Sequence, residues 1–173
     1  NVSNAAELAE ALGNEEVGVI VLDGDINLNE LLTLTRSTDD PSLTIKAGKT
    51  LTLDLNGKTL SATSYQTGKN YNMIDVHGAL IVKNGTINYE HKGQDMGWNN
   101  YAEIFHVDFG GTLNLEGVKA NNAGGSAMAY VIDMTNGTDI TVNVKNSELV
   151  STYIPVRVFN NNKNGVHNVA ISN

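Results

Sequence analysis

AGKTLTLDLNGKTL, residues 47–60, alternates apolar and polar residues on either side of an Asn-Gly pair. Alternation with a period of two is typical of short half-buried β-strands, and Asn-Gly is typical of a tight turn. Five further segments repeat this pattern: VIVLDGDI (19–26), ALIVKNGTI (79–87), TLNLEGVKA (112–120), ITVNVKNSEL (140–149) and HNVAISN (167–173). A pattern that returns about every thirty residues predicts one structural unit stacked along the chain.

Aligning the six segments brings residues of one type into three columns. The first column is apolar and contains Val21, Leu55, Val82, Leu115, Val144 and Ile171. The second consists of turn residues, namely Asp23, Gly57, Asn84, Gly117, Asn146 and Asn173. The third is again apolar and contains Ile26, Leu60, Ile87, Ala120 and Leu149. Such columns predict equivalent side chains lying one above another in neighbouring coils.

A second set of strands precedes the first by one turn. It consists of LTIKA (43–47), MIDVH (73–77), IFHVD (104–108), VIDMT (131–135) and PVRVF (155–159). Its inner column is Ile45, Val76, Val107, Met134 and Val158. The two sets stay in step although the turns between them vary in length, which indicates a coil rather than chance.

These strands predict an all-β fold, a parallel β-solenoid of about five coils. Each coil contributes three short strands to one apolar core, and coils stack about 4.8 Å apart. An antiparallel sandwich is the main competing fold, but it gives no aligned columns. A leucine-rich repeat would need a tighter period, and a propeller about forty residues per unit.

The chain is expected to form a single domain over residues 1–173, with coils over 17–173. A helix is predicted over 4–13, because Asn4 can cap it and Glu7 follows three residues later. Solenoids need their terminal coils covered, so this helix would close the N-terminal end of the core.

Composition excludes several classes of function. The chain has 11 basic and 19 acidic residues, a formal charge of −8, which argues against nucleic-acid binding. Cysteine is absent, so disulfides and thiolate metal sites are excluded. The sequence contains no run of eighteen apolar residues, so it predicts no membrane-spanning helix. The first residue is Asn1 rather than Met, so we expect a mature or trimmed product of an exported protein.

Residues 47–60 and 79–87 resemble the repeated coils of pectate-lyase-like right-handed parallel β-helix domains in bacterial secreted and cell-surface proteins. SNAAELAEAL (3–12) is similar to their capping helix, and the resemblance covers nearly the whole chain. It implies an extracellular or surface location, a right-handed coil and a polysaccharide or surface glycan as partner. The coils end at Asn173 in mid-turn, so we expect a module of a longer chain, with a further domain or subunit on its open last coil.

Alternation sends two columns outward from the second set of strands. One contains Thr44, Asp75, His106, Asp133 and Arg157, and the other Lys46, His77, Asp108, Thr135 and Phe159. Acidic residues then face His or Arg across neighbouring coils, an arrangement that by itself only avoids like-charge repulsion. Because carboxylates and imidazoles also exchange protons, Asp75, His77, His106, Asp108 and Asp133 are catalytic candidates. The resemblance to pectate lyases, which use an Arg or Lys as base, adds Arg157 to them.

No cofactor is expected from the sequence. The outward Asp and His side chains could supply ligands to a divalent cation such as Ca²⁺, but no specific calcium motif is present. Comparison with the enzymes of the pectate-lyase-like family weakens the catalytic hypothesis. Of the four motifs typical of polygalacturonases, His77-Gly78 matches one, and Arg157-Val158-Phe159 lacks the Lys of another.

Aromatic residues enter this outward face from the preceding loops. Trp98, the one Trp of the chain, lies in the polar stretch HKGQDMGWNNY (91–101) just before a strand. Sugar rings stack on exposed aromatic faces, so Trp98, Tyr101 and Tyr71, together with His106, are the predicted carbohydrate-binding residues. Trp98 could instead fold down and close its loop against the coil.

Three functions therefore remain open. The leading hypothesis is a non-catalytic, exported module that binds glycans at the cell surface. The first alternative is a polysaccharide lyase or glycoside hydrolase acting on the same outward face. The second is a structural stalk or assembly module, because fold alone does not specify function.

Overall fold

A computed structural model describes residues 1–31, 42–65, 70–92, 101–124, 128–135, 139–160 and 165–173. Over these residues the chain forms two parallel sheets. Sheet 1 consists of β1 (Val19–Val21), β2 (Ile26–Asn27), β4 (Thr50–Asp54), β5 (Thr59–Ser64), β7 (Ala79–His91), β9 (Thr112–Ala123), β11 (Ile140–Lys145), β12 (Glu148–Ser151) and β14 (His167–Ser172). Sheet 2 consists of β3 (Leu43–Ile45), β6 (Tyr71–Val76), β8 (Tyr101–Val107), β10 (Met128–Thr135) and β13 (Ile154–Phe159).

The strand order confirms the predicted parallel β-solenoid. In sheet 2 each strand pairs with the strand of the next coil, in the order β3, β6, β8, β10 and β13. The chain makes about four turns, close to the five coils predicted. Both sheets bury their inner apolar columns against each other in one continuous core.

Two of the predicted apolar columns are confirmed residue by residue. The inner column of sheet 2 pairs Ile45, Val76, Val107, Met134 and Val158 in register. The third column of the alignment pairs Ile26, Leu60, Ile87, Ala120 and Leu149. Stacking of branched and aliphatic side chains in register removes nearly all of this surface from water, except on the last coil.

The remaining apolar column was predicted wrongly in its first two members. Val82 pairs with Leu53 rather than Leu55, and Leu53 in turn pairs with Ile20 rather than Val21. Leu55 lies beyond the end of β4, where its N–H donates to the carbonyl of Lys83. The segment from Leu53 to Leu60 is longer than the corresponding segment from Val82 to Ile87 in the next coil. Aligning the coils on their Asn and Gly residues therefore placed Leu55, rather than Leu53, in the column.

The turn column confirms why Asn and Gly recur. Asn84, Gly117 and Asn146 all adopt left-handed backbone, with φ of 58°, 63° and 49°. Asn and Gly tolerate this region better than other residues. In these coils the left-handed residue lies between two strand segments of sheet 1, and the strand of sheet 2 is the third segment, as predicted.

Helix α1 (Ala5–Gly13) begins at the predicted cap. The Asn4 side chain accepts a hydrogen bond from the Glu7 N–H at 3.0 Å, and the Glu7 carboxylate accepts one from the Ser3 N–H at 2.7 Å. This reciprocal pair satisfies two N–H groups at the start of the helix. Leu8 is completely buried in the core, which stabilises the fold by about 1.5–3 kcal/mol.

The opposite end of the solenoid exposes its apolar column. Val158 in β13 is 50% exposed and Ile171 in β14 is 66% exposed, whereas their partners Met134 and Val144 are buried. Docking of a further domain or subunit on this end stays a prediction. No helix within the described ranges is long and apolar enough to cross a bilayer.

Candidate functional site

The outward face of sheet 2 has the side-chain ladder that strand alternation predicts. Asp75 of β6 pairs with His106 of β8, His106 pairs with Asp133 of β10, and Asp133 pairs with Arg157 of β13. Stacking in register therefore gathers four of the six catalytic candidates into a single row across the coils. The other two, His77 and Asp108, lie in the neighbouring row at the ends of the strands.

A break in the alternation adds two side chains to this face. Ile104 and Phe105 are consecutive and both are buried, so the first half of β8 turns the opposite way to its second half. The break lets outward residues three apart meet. Glu103 contacts His106, with 2.5 Å between Oε2 and Nδ1, and Asn72 donates to Asp75 at 2.8 Å.

The same break occurs in the neighbouring coils. It is marked in each by two consecutive buried apolar residues, namely Met73 and Ile74 in β6 and Val131 and Ile132 in β10. Strict alternation does not place Glu103 and Asn72 on this face, so neither was among the predicted site residues. The signal that could have found them is the apolar pair in the middle of each strand.

Asp133 and Arg157 form a fixed ion pair. Asp133 is completely buried, and it accepts hydrogen bonds from Nε of Arg157 at 2.7 Å and from Nη2. The Arg157 guanidinium lies 4.5 Å from the ring centre of Tyr101 and 4.6 Å from that of Tyr130. Burial opposes the charge of Arg157, but the hydrogen bonds to Asp133 outweigh it and raise the pKa of Arg157.

Glu103 and His106 share protons next to this ion pair. Burial raises the pKa of Glu103 to about 8, and the nearby charge of Asp133 acts in the same direction while His106 opposes it. Burial would lower the pKa of His106, but its hydrogen bond to Glu103 and the surrounding carboxylates raise it to about 9. The pair therefore holds at least one proton at neutral pH, on the short contact between Nδ1 and Oε2.

Asp108 links the two histidines. His77 Nε2 lies 3.0 Å from one carboxylate oxygen of Asp108, and His106 Nε2 lies 3.4 Å from the other. Burial raises the pKa of Asp108, and the two imidazoles oppose this. Asp75, two residues before His77, adds its negative charge to the same region. Because Glu103 also contacts Asp133, these side chains form one network from Arg157 to His77, and Asp75 lies beside it.

A shallow pocket of about 390 Å³ lies over the Arg157 end of the network. Its lining combines aromatic rings with amide, hydroxyl and charged groups, contributed by Asn70, Asn72, Tyr101, Glu103, His106, Asp133, Thr135, Arg157 and Phe159. Two of the four predicted carbohydrate-binding residues, Tyr101 and His106, line it.

The other two predicted carbohydrate-binding residues do not line the pocket. The structure places Tyr71 inside the solenoid, where it is 5% exposed and stacks on Tyr89 with 5.0 Å between ring centres. It faces the core because the alternation break follows it in β6. Trp98 lies outside the described residues.

One group of described residues has the spacing of a metal site. Glu103, His106 and Asp133 each offer a donor atom within 4.8 Å of the others. Those donors already have partners, because Nδ1 of His106 contacts Glu103 and both Asp133 oxygens accept from Arg157. A cation at this cluster would lie beside the Arg157 guanidinium, whose positive charge opposes its binding.

Comparison with protein-family models matches residues 1–173 to a family described as "Putative pectate lyase-like adhesive domain". The chain belongs to this family. Membership agrees with the solenoid fold and with the resemblance found in the sequence. Comparison of the chain with curated proteins finds no match, and comparison with solved structures finds none either. The description of this adhesive domain family points to a role in adhesion and at a surface.

Proposed function

We propose that this adhesive domain is a non-catalytic, exported module that binds glycans on the outward face of sheet 2. The observation that supports this is the pocket of about 390 Å³, where aromatic rings and hydrogen-bonding groups surround ion pairs that are already complete. Complete pairs hold the surface rigid, and a rigid polar surface binds a ligand at low entropic cost.

Saccharides fit this pocket because their rings have both apolar and polar surfaces. Arg157 lies over the rings of Tyr101 and Phe159, so a sugar would stack its C–H side on the ring faces turned away from the guanidinium. Asn70 and Asn72 supply amides for its hydroxyls. Arg157 is already neutralised by Asp133. With a net charge of −8, the chain would repel polyanionic chains, so we propose a neutral glycan.

The electrostatics argue against turnover. A general base must be unprotonated at working pH. The hydrogen bonds to Asp133 raise the pKa of Arg157, so its guanidinium is a poor proton acceptor. His106, with a pKa of about 9, is protonated at neutral pH. The two nitrogen bases that line the pocket, Arg157 and His106, are therefore poor proton acceptors at neutral pH.

A polysaccharide panel tests the proposal. The protein is run on affinity gels containing a galactomannan, a xyloglucan or laminarin, with polygalacturonate as the anionic comparison. We expect retention by at least one neutral polysaccharide and no release of reducing ends or unsaturated sugars. Catalytic release of either product would replace the binding function with the enzymatic alternative, and absence of retention across the panel would contradict glycan binding.

A matched pair of variants locates the binding. Tyr101→Ala removes a ring that lines the pocket, and we expect it to weaken retention about tenfold, since losing one stacked ring costs about 1.4 kcal/mol. Tyr65→Ala is the control, because Tyr65 is 63% exposed but does not line the pocket. Equal retention of both variants would place the binding elsewhere.

A further inference from the structure

Phe109 is an exposed aromatic residue in an unfavourable backbone conformation. It follows Asp108 in the turn after β8, its φ is 49°, and it is 70% exposed. Left-handed backbone is disfavoured for bulky side chains, because Cβ approaches the following carbonyl oxygen. Burial does not compensate for this strain, since most of the side chain is in water.

The rest of the chain shows which residues such turns prefer. Outside glycine, the other described residues with positive φ are Asn or Asp: Asn56, Asn84, Asp139 and Asn146. Asn56-Gly57 is the closest match, with φ of 50° and 74° against 49° and 81° for Phe109-Gly110. Phe109 thus occupies a position that this chain otherwise gives to a short polar residue that tolerates left-handed backbone.

The surroundings of Phe109 suggest what the ring does. The His77 ring packs against it edge to face, with 5.0 Å between ring centres and 77° between the ring planes. His77 Nε2 in turn lies 3.0 Å from Asp108, and Asp108 contacts His106, which lines the pocket. An exposed ring therefore stands at the end of the polar network that begins at Arg157.

We propose that Phe109 is a second stacking subsite, which holds another sugar ring of a glycan extending from the pocket. The C–H face of that ring would lie on Phe109, while its hydroxyls reach the half-buried side chain of His77. Strained residues persist where they have a function, and a ring beside hydrogen-bonding groups suits a pyranose. This inference rests on the proposed glycan binding, and it extends the ligand to an oligosaccharide.

Phe109→Asn gives a test in which stability and binding move in different directions. Asn suits the left-handed turn, as Asn56 does, so we expect the unfolding temperature of the variant to be unchanged or higher. We expect its affinity for the neutral polysaccharide that retains the wild type to fall about three- to tenfold. Phe109→Tyr keeps the ring and should bind as the wild type does.

Ligand length provides the second measurement. A disaccharide from the retained polysaccharide fills one subsite, so it should bind the wild type and Phe109→Asn equally, while a hexasaccharide should distinguish them. Sedimentation velocity accompanies each titration. It should give the same mass for the wild type and both Phe109 variants.

Each contrary result has a defined meaning. A wild type that binds no neutral polysaccharide overturns the proposed function and this subsite together. Retention by the wild type with equal hexasaccharide affinity in Phe109→Asn overturns the subsite alone. A variant that unfolds several degrees earlier would make Phe109 a packing residue, and a change in mass would make it a self-association contact; either overturns the subsite.

Discussion

Asp133 is completely buried and holds Arg157 of the next coil through both of its carboxylate oxygens. Stacking in register makes this possible, because the two residues are directly paired in neighbouring strands. Tyr101 and Tyr130 hold the guanidinium from the sides and limit its contact with water. The pair therefore ties the last two strands of sheet 2 together at the pocket.

Removing one partner of this pair should destabilise the fold strongly. Arg157→Gln leaves a buried carboxylate unpaired, and we expect it to lower the free energy of unfolding by about 3 kcal/mol. Asp133→Asn leaves a guanidinium that is partly exposed, so its effect should be smaller. Denaturant unfolding of both single variants and of the double variant gives the coupling energy.

An exposed pair provides the control for that cycle. Lys145 lies 3.4 Å from Glu116 on sheet 1, and both side chains are more than half exposed. Lys145→Gln should cost less than about 0.5 kcal/mol, because water screens the pair. Additive effects of Arg157→Gln and Asp133→Asn would contradict the direct pairing.

Stability should fall as pH rises from neutral to weakly alkaline. The folded pKa values of His106, about 9, and Glu103, about 8, exceed the ordinary values of 6.5 and 4.5. The folded state therefore binds more protons than the unfolded state, and stability is lost as pH increases. The loss should be steepest between about 6.5 and 8, where both groups act together.

Thermal unfolding from pH 6 to 9.5 measures this effect. We expect the unfolding temperature of the wild type to fall by several degrees across that range, because the folded state binds the protons more tightly. His106→Gln removes one of the two groups and should flatten the profile. A wild-type midpoint that stays constant or rises with pH would show that the proton is not held more tightly in the folded state.

Close stacking of the coils predicts a severe effect at one glycine. An added Cβ on Gly85 would lie 2.5 Å from Cβ of Leu55 and 2.6 Å from the carbonyl oxygen of Lys58 in the preceding coil. Gly85→Ala should therefore cost on the order of 2 kcal/mol through overpacking. Gly13→Ala is the control, since nothing lies within 4 Å of its Cβ. Equal stability of the two variants would contradict this close approach of the coils.

Trp98 gives a prediction that rests on the sequence alone. Trp98→Ala should weaken retention by the neutral polysaccharide while leaving the unfolding temperature within about 2 °C, because the ring is expected to face the ligand. Trp98→Phe preserves a ring and should retain most of the affinity. A large loss of stability with unchanged affinity would favour the alternative, in which Trp98 closes its loop against the coil.

The fold could be predicted because register converts sequence columns into contacts. Val76, Val107 and Met134 align in the sequence and pair in the structure, since turns of any length return the chain to the same column. The error at Leu55 came from the turn. Residue types mark a turn, but its exact length is set by how the backbone closes, as between Leu53 and Leu60.

The site could be predicted only in part. Pairing of Asp133 with Arg157 follows from register, so the sequence contained it. The contact of Glu103 with His106 depends on the break in the alternation in the middle of β8, which strict alternation does not predict. The burial of Tyr71 follows from the corresponding break in the alternation of β6. The left-handed backbone of Phe109 is marked by no pattern in the sequence.

Mapping the bound glycan on the protein would decide whether the outward face of sheet 2 is the binding surface. Backbone amide chemical shifts would be recorded while a hexasaccharide from the retained polysaccharide is added. We predict that the large shift changes are confined to the outward face of sheet 2, around Asn72, Tyr101, His106 and Phe109. Changes concentrated on sheet 1, or on the exposed last coil around Ile171, would show that the glycan binds elsewhere.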